Sequence, residues 1–198
     1  LNLAKSDLDR PRDVRRALIE AGRALLNEEG ADGLSLRATS RRAGVSPGAP
    51  YKHFADKKAL LEAIADEGFD ELCAETGSAF DRYASGPERI RALCLIYVEF
   101  ALRNPLLYGV MMSATRSREL VNDGGRGQAE VVRLMRLSIA SASGLTIDDR
   151  AVELRALAVW FALHGLIELH SFRAVQTMRT ASENLHDFLD EIIAQIVG

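Results

Sequence analysis

A chain of 198 residues with 47% apolar side chains can bury a full core in one large or two small domains. Its longest nearly charge-free apolar run, residues 156–167, is interrupted by His164 and Gly165 and falls short of the ~20 residues a membrane-spanning helix needs, so no membrane partner is expected. The formal charge of −3 is unevenly spread: residues 1–60 hold 12 Lys/Arg against 8 Asp/Glu, a net of +4, and residues 61–198 hold 13 against 20, a net of −7.

A basic quarter on an acidic body is the asymmetry expected when only one end meets phosphates, although charged residues also simply solvate surfaces. Residues 1–7 lack the apolar run and cleavage pattern of an export signal, which makes a cytoplasmic location the expectation. Leu1 in first place suggests a true start further upstream. From there the chain reads as one helix after another, without the alternating β-branched runs of strands, so the expected fold class is all-α. Pro11 suits a first helical turn, Val14, Leu18, Ala21 and Leu25 recur at helical spacing, and Gly30 ends the segment. Ser35 can cap a second, short helix over residues 36–43, and Gly44 can supply its left-handed end. A third short helix is expected over residues 47–54, with Ser46 as its cap. Asp56 then caps a long fourth helix running through Leu60, Ile64 and Leu72 toward Gly77.

Gly86-Pro87 marks the next break. Residues 88–103 form a further helix, with Ile90, Leu93, Ile96, Tyr97 and Phe100 on its inner side, until Asn104-Pro105 stops it. A short segment, residues 106–112, precedes the polar stretch NDGGRGQ at residues 122–128. This reads as a loop: it has no Gly-Lys-Ser/Thr ending and follows no strand, so it is not a nucleotide-binding loop. The helix expected over residues 148–175 is apolar on every side between residues 156 and 167, as a central, walled-in helix would be. The last helix carries a stripe of Leu185, Phe188, Leu189, Ile192, Ile193 and Ile196, which either packs within the chain or forms a helix-on-helix dimer seam. Cys73 and Cys94 stand alone and read as free thiols.

Residues 43–61, AGVSPGAPYKHFADKKALL, hold two prolines inside an otherwise helical pattern. With Pro47 first in the third helix and Pro50 fourth, both fall in the opening turn, where a missing N–H costs least. Ala49, preceding a proline, is biased away from helix, so an irregular first turn is expected. The two short helices around Gly44-Val45 have the proportions of a helix-turn-helix. The string LSLRATSRRAGVSPGAPYKHFADKKALL resembles the DNA-binding segment of the TetR (tetracycline repressor) family of transcriptional regulators, and the likeness continues through the fourth helix. Further on, NPLLYGVMMS and WFALHG look like the ligand-binding half of a TetR subgroup whose hallmark Trp-x-x-x-His-Gly stands here as Trp160, His164 and Gly165. The resemblance implies a homodimer in which a three-helix head, residues 1–58, reads double-stranded operator DNA. It implies also that a helical body, residues 59–198, dimerises and binds a small-molecule effector that releases the DNA. The chain departs from the family at Thr39-Ser40, where an aliphatic-Ala pair is common, and at Pro50, where an aliphatic residue is more frequent. Ser40 can satisfy its hydroxyl on the carbonyl of Leu36.

By position in the motif, Arg37 resembles a groove-reading residue whose guanidinium can fork onto guanine, or else a solvated arginine. Ser46, Gly48 and Ala49 belong to the DNA-facing set, the last two allowing close approach and at most a contact to a thymine methyl. Tyr51 resembles a phosphate anchor, Lys52 can reach phosphate or base, His53 the backbone, and Phe54 belongs to the core. Lys57, in the first turn of the fourth helix, is the leading phosphate ligand, since helix N-terminus and ammonium can meet one phosphate; Lys58, Arg41 and Arg42 rank below it. In the body Tyr97, Phe100, Tyr108, Met111, Met112, Trp160, Phe161 and His164 can line an apolar cavity with a few polar tips, and each also fits as plain core. His164 and Glu168 stand four apart with His170 nearby, but they match no zinc helix motif, and a His–Glu hydrogen bond is the simpler expectation. No nucleophile, base and oxyanion set emerges, so no catalytic residue, cofactor or metal is assigned. The rival readings are a helical ligand-binding protein or enzyme without specific DNA recognition, and a regulator whose body only dimerises.

Overall fold

The computed structural model describes residues 11–117 and 126–169, and in the C-terminal segment residues 187, 189, 191 and 193–195. Among these every regular element is helical: α1 (Pro11–Gly33), α2 (Leu36–Arg42), a 3-10 turn (Pro50–Lys52), α3 (Lys57–Arg82), α4 (Pro87–Arg103), α5 (Pro105–Ser117), α6 (Arg126–Ser143) and α7 (Arg150–Leu169). No single helix among the described residues is long and apolar enough to cross a membrane. The chain divides into two compact units, Leu1–Gly68 with Pro105–Gly124, and Phe69–Asn104 with Gly125–Gly198. This division by packing falls within α3 and differs from the functional boundary expected at residue 58.

In the first unit, α1 buries the spaced residues Leu18, Ala21 and Leu25 together with Ile19 and Leu26; each large side chain contributes roughly 1.5–3 kcal/mol of burial. The helix continues past Gly30 to Gly33, with a kink at Gly30, whose φ of 72° only glycine adopts readily. Phe54 is buried as expected, and the Arg15 guanidinium lies 5.5 Å from its ring centroid. The polar pair Thr39 and Ser40 is buried without orphaned hydroxyls: Thr39 Oγ1 donates to the Ser35 carbonyl at 2.9 Å and Ser40 Oγ to that of Arg37 at 2.9 Å. Ser40 therefore bonds three residues back, not to Leu36. A hydroxyl that bonds its own helix in this way can occupy an apolar position at small cost.

In the second unit, α4 begins at Gly86-Pro87 and ends where Asn104 turns both its backbone N–H and its side-chain amide onto the Phe100 carbonyl, each at 3.0 Å. The stretch read as a loop at residues 122–128 is helix from Arg126 onward. Gly127 is buried there, and a Cβ on it would stand 2.7 Å from the Phe69 backbone. Two backbones approach so closely at this point that glycine serves packing, and a composition typical of loops hides a helix start. Among the described residues α7 is not walled in on every side. Val152, Val159, Leu163 and Leu166 are buried, yet Leu154, Leu157 and Phe161 are 50%, 43% and 68% exposed along one face. Of the final stripe, Leu189 and Ile193 are described and buried, opposite exposed Glu191; its other members lie outside the described residues, as does His170.

Candidate functional site

The head is built by caps. Ser35 Oγ accepts from Ala38 N at 3.1 Å and opens α2. Its far end closes with Val45 N bonded to the Ser40 carbonyl (3.1 Å) and Gly44 N to that of Arg41 (3.3 Å), the double closure that requires a left-handed residue; Gly44 has φ 66°. The expected third helix is reduced to the Pro50–Lys52 3-10 turn. Two prolines remove two donors within four residues, and the chain settles for short-range bonds, Lys52 N to the Ala49 carbonyl at 3.1 Å and His53 N to that of Pro50 at 3.0 Å. Ala49 nevertheless adopts helical angles, φ −61° and ψ −44°, so the bias of the residue before proline is overridden. Ser46 does not act as the expected side-chain cap: the turn carries no side-chain cap, and it is the Ser46 carbonyl that accepts from Ala49 N at 3.0 Å. Asp56 does cap, its Oδ1 accepting from Ala59 N at 2.8 Å at the start of α3.

Arg37, Ser46, Gly48, Tyr51 and Lys52 are exposed, and Ala49, His53 and Lys57 half-buried. Tyr51 is 57% exposed, unusual for so large an aromatic. Ion pairing sorts the cations. Arg42 forks onto Glu28 at 2.5 and 2.6 Å and holds that carboxyl below its ordinary range through the hydrogen bond; Lys58 lies 3.7 Å from Glu62. Arg37, Arg41, Lys52 and Lys57 make no ion pair among the described residues. Arg41 therefore joins the set of available cations, although the sequence ranks it with Arg42. The distinguishing partner, Glu28, lies fourteen residues from Arg42.

The second unit gathers three of the expected ligand residues. Trp160 and His164 stack at 4.6 Å and 16°, and Tyr97 lies tilted 5.7 Å from His164. His164 Nδ1 is 2.9 Å from the Trp160 carbonyl and Nε2 is 3.3 Å from the Tyr97 hydroxyl. A carbonyl only accepts, so Nδ1 carries the proton, and Tyr97 donates to Nε2 of a neutral ring. Burial pushes the imidazole below its ordinary range; the Trp160 carbonyl and the charge of Glu168 oppose that shift. Glu168 therefore acts on the ring by charge, while the ring nitrogens are engaged by Trp160 and Tyr97. The residues border an apolar pocket of about 40 Å³, completed by Val131, Val132 and Met135 of α6 and Val159 and Leu163 of α7. The α6 residues were not among the sequence candidates, because α6 itself begins inside a loop-like string.

Phe100 is buried on α4 without lining this pocket, and Phe161 is exposed. Tyr108, Met111 and Met112 are buried in the first unit, to which α5 belongs. No cluster of three His, Cys, Asp or Glu that could hold a metal occurs among the described residues.

Comparison with known proteins places these features. Residues 18–64 match the family described as "Bacterial regulatory proteins, tetR family", and residues 90–196 match "Tetracyclin repressor-like, C-terminal domain". A solved structure of a protein with unknown function from Rhodococcus sp. RHA1 is 31% identical, covering 92% of this chain and 90% of that one with a TM-score of 0.69. A TetR-family transcriptional regulator from Streptomyces coelicolor shares the fold at 19% identity, with a TM-score of 0.68 and coverage of 94% and 97%. An uncharacterized HTH-type transcriptional regulator of Bacillus subtilis, YobS, is 25% identical over 112 residues, which span 56% of this chain and 58% of that protein. With both family matches falling on the capped head and the helical remainder, the chain belongs to the TetR family of bacterial transcriptional regulators.

Proposed function

We propose that the chain is a homodimeric repressor that binds a two-fold symmetric operator in double-stranded DNA and is released by a small, largely apolar effector. The carrying observation is the pairing pattern of the head: Arg37, Arg41, Lys52 and Lys57 carry no counter-ion among the described residues, beside an exposed Tyr51. Unpaired cations reach phosphates without first breaking an internal ion pair, and each phosphate met releases counterions. Lys57 adds its ammonium to the N-terminal turn of α3, where backbone N–H groups favour an anion. Arg37 reads a base edge, Gly48 and Ala49 give the turn close approach to the groove, and His53 meets the backbone. Residues 1–58 form the reading part in this scheme, residues 59–198 the regulating and dimerising part, and the site of action is the cytoplasm, where the operator is.

Pairing with a second copy is supported by the exposed Leu154, Leu157 and Phe161 on one face of α7. Two heads then meet half-sites about 34–36 Å apart. Tyr97, Trp160 and His164 supply the effector site, in keeping with the Trp-x-x-x-His-Gly subgroup. A pocket of about 40 Å³ is far below the ~300 Å³ at which small-molecule sites begin. The effector must therefore widen it, and favouring the widened state is how it shifts the DNA-binding equilibrium. The test is selection of bound fragments from a random DNA library at two salt concentrations, beside a Tyr51→Ala, Lys57→Ala double variant. A palindrome enriched by the wild type and lost by the variant supports the reading. Weak binding without enrichment, abolished by salt, overturns it and favours a ligand-binding protein centred on Trp160.

A further inference from the structure

The first unit contains a groove eight times larger than the Tyr97 pocket, about 330 Å³ against about 40 Å³. It lies where the C-terminal half of α1, the first turns of α3 and the outer face of α5 meet, and Leu26, Leu61, Leu106, Val110 and Ala114 make it apolar. From this geometry we infer that the groove is a binding site for a neutral, largely apolar small molecule, separate from the pocket around Trp160. It goes beyond the regulatory reading and does not depend on it.

Four observations carry the inference. The volume lies within the range of small-molecule sites. The α5 wall, from Pro105 to Ala114, is roughly 14 Å long at 1.5 Å per residue, which suits a two-ring compound or a chain of about ten carbons. The two charged lining residues, Lys58 and Glu62, stand 3.7 Å apart and cancel, so the site offers a donor and an acceptor but no net charge. Gly109 sits inside α5, where glycine is less favourable than alanine, yet a Cβ added there would meet nothing within 4 Å. Close packing does not demand this glycine; what it leaves is room in the groove, next to a Leu106 that is 44% exposed.

The site is tested on methyl-labelled full-length protein titrated with 2-naphthol, a neutral bicyclic alcohol, and followed by NMR. Saturable shifts are expected at the methyls of Leu26, Leu61, Leu106 and Val110. Gly109→Phe, which fills the open space, and Leu106→Asp, which charges an already exposed rim, should each weaken the affinity at least tenfold, about 1.4 kcal/mol. Trp160→Ala should leave it within about twofold, since the rings it touches among the described residues, Tyr97 and His164, belong to the other pocket. Shifts confined to Val131 and Val159, unchanged affinity in both groove variants, or no saturable shift at all would overturn the assignment.

Discussion

The head and the Tyr97 pocket use similar residue types in opposite ways. At the head, Tyr51, Arg37 and Lys52 are exposed and Lys57 half-buried, and the three cations make no ion pair among the described residues. Around Trp160, tyrosine and histidine face each other, the imidazole holding the Trp160 carbonyl with one nitrogen and the Tyr97 hydroxyl with the other. A surface proposed to meet an external polyanion gains from unsatisfied donors, whereas a buried polar group must be satisfied or it costs about 1–3 kcal/mol. Partner status, more than residue type, separates the two regions.

The largest effect is expected from breaking what supports the head. Phe54→Ala removes a side chain that is 3% exposed and should destabilise the protein by about 3–5 kcal/mol in chemical denaturation. Ser35→Ala leaves Ala38 N without its cap and should cost about 1 kcal/mol in the same measurement. Sharpening the contrast between free and paired cations, Lys57→Ala should lower DNA affinity alike on all sequences and reduce the salt slope by about one unit. Lys58→Ala, paired with Glu62, should change the slope by less; equal losses would mean that pairing does not sort the cations. The smallest effect concerns pH. Burial holds the His164 pKa below its unfolded value, so the unfolded chain takes up the proton first. The neutral ring's contribution is complete above the unfolded value, about 6.5, and declines as pH falls through the depressed folded one. His164→Gln should flatten that part of a melting-temperature profile between pH 8 and 5.

Short-range chemistry was legible in the sequence. The Ser35 and Asp56 caps, the Gly44 closure and the Asn104-Pro105 stop each depend on residues within a few positions of one another, and each forms. Where local signals conflicted, reading was less successful. The prolines at 47 and 50 reduce a helix to a 3-10 turn, and the glycines before residue 128 read as a loop although Gly127 is a packing contact inside α6. The ligand set mixed residues from both units, because an aromatic or methionine on an inner face has the same pattern whichever core it enters. Phe161 shows the converse, an apolar residue in an apolar run that the fold leaves exposed.

The sequence by itself determined the all-helical class and the helix ends set by the Ser35 and Asp56 caps, the Gly44 closure and the Asn104-Pro105 stop, since these follow from backbone chemistry within one or two turns; the family was legible in it through the resemblance of the head motif. Only the tertiary structure decided which cations stay unpaired among the described residues, which aromatics share a pocket and where a groove remains open over Gly109. Those depend on partners such as Glu28 for Arg42 and Tyr97 for His164, fourteen and sixty-seven residues apart, which only folding brings within bonding distance.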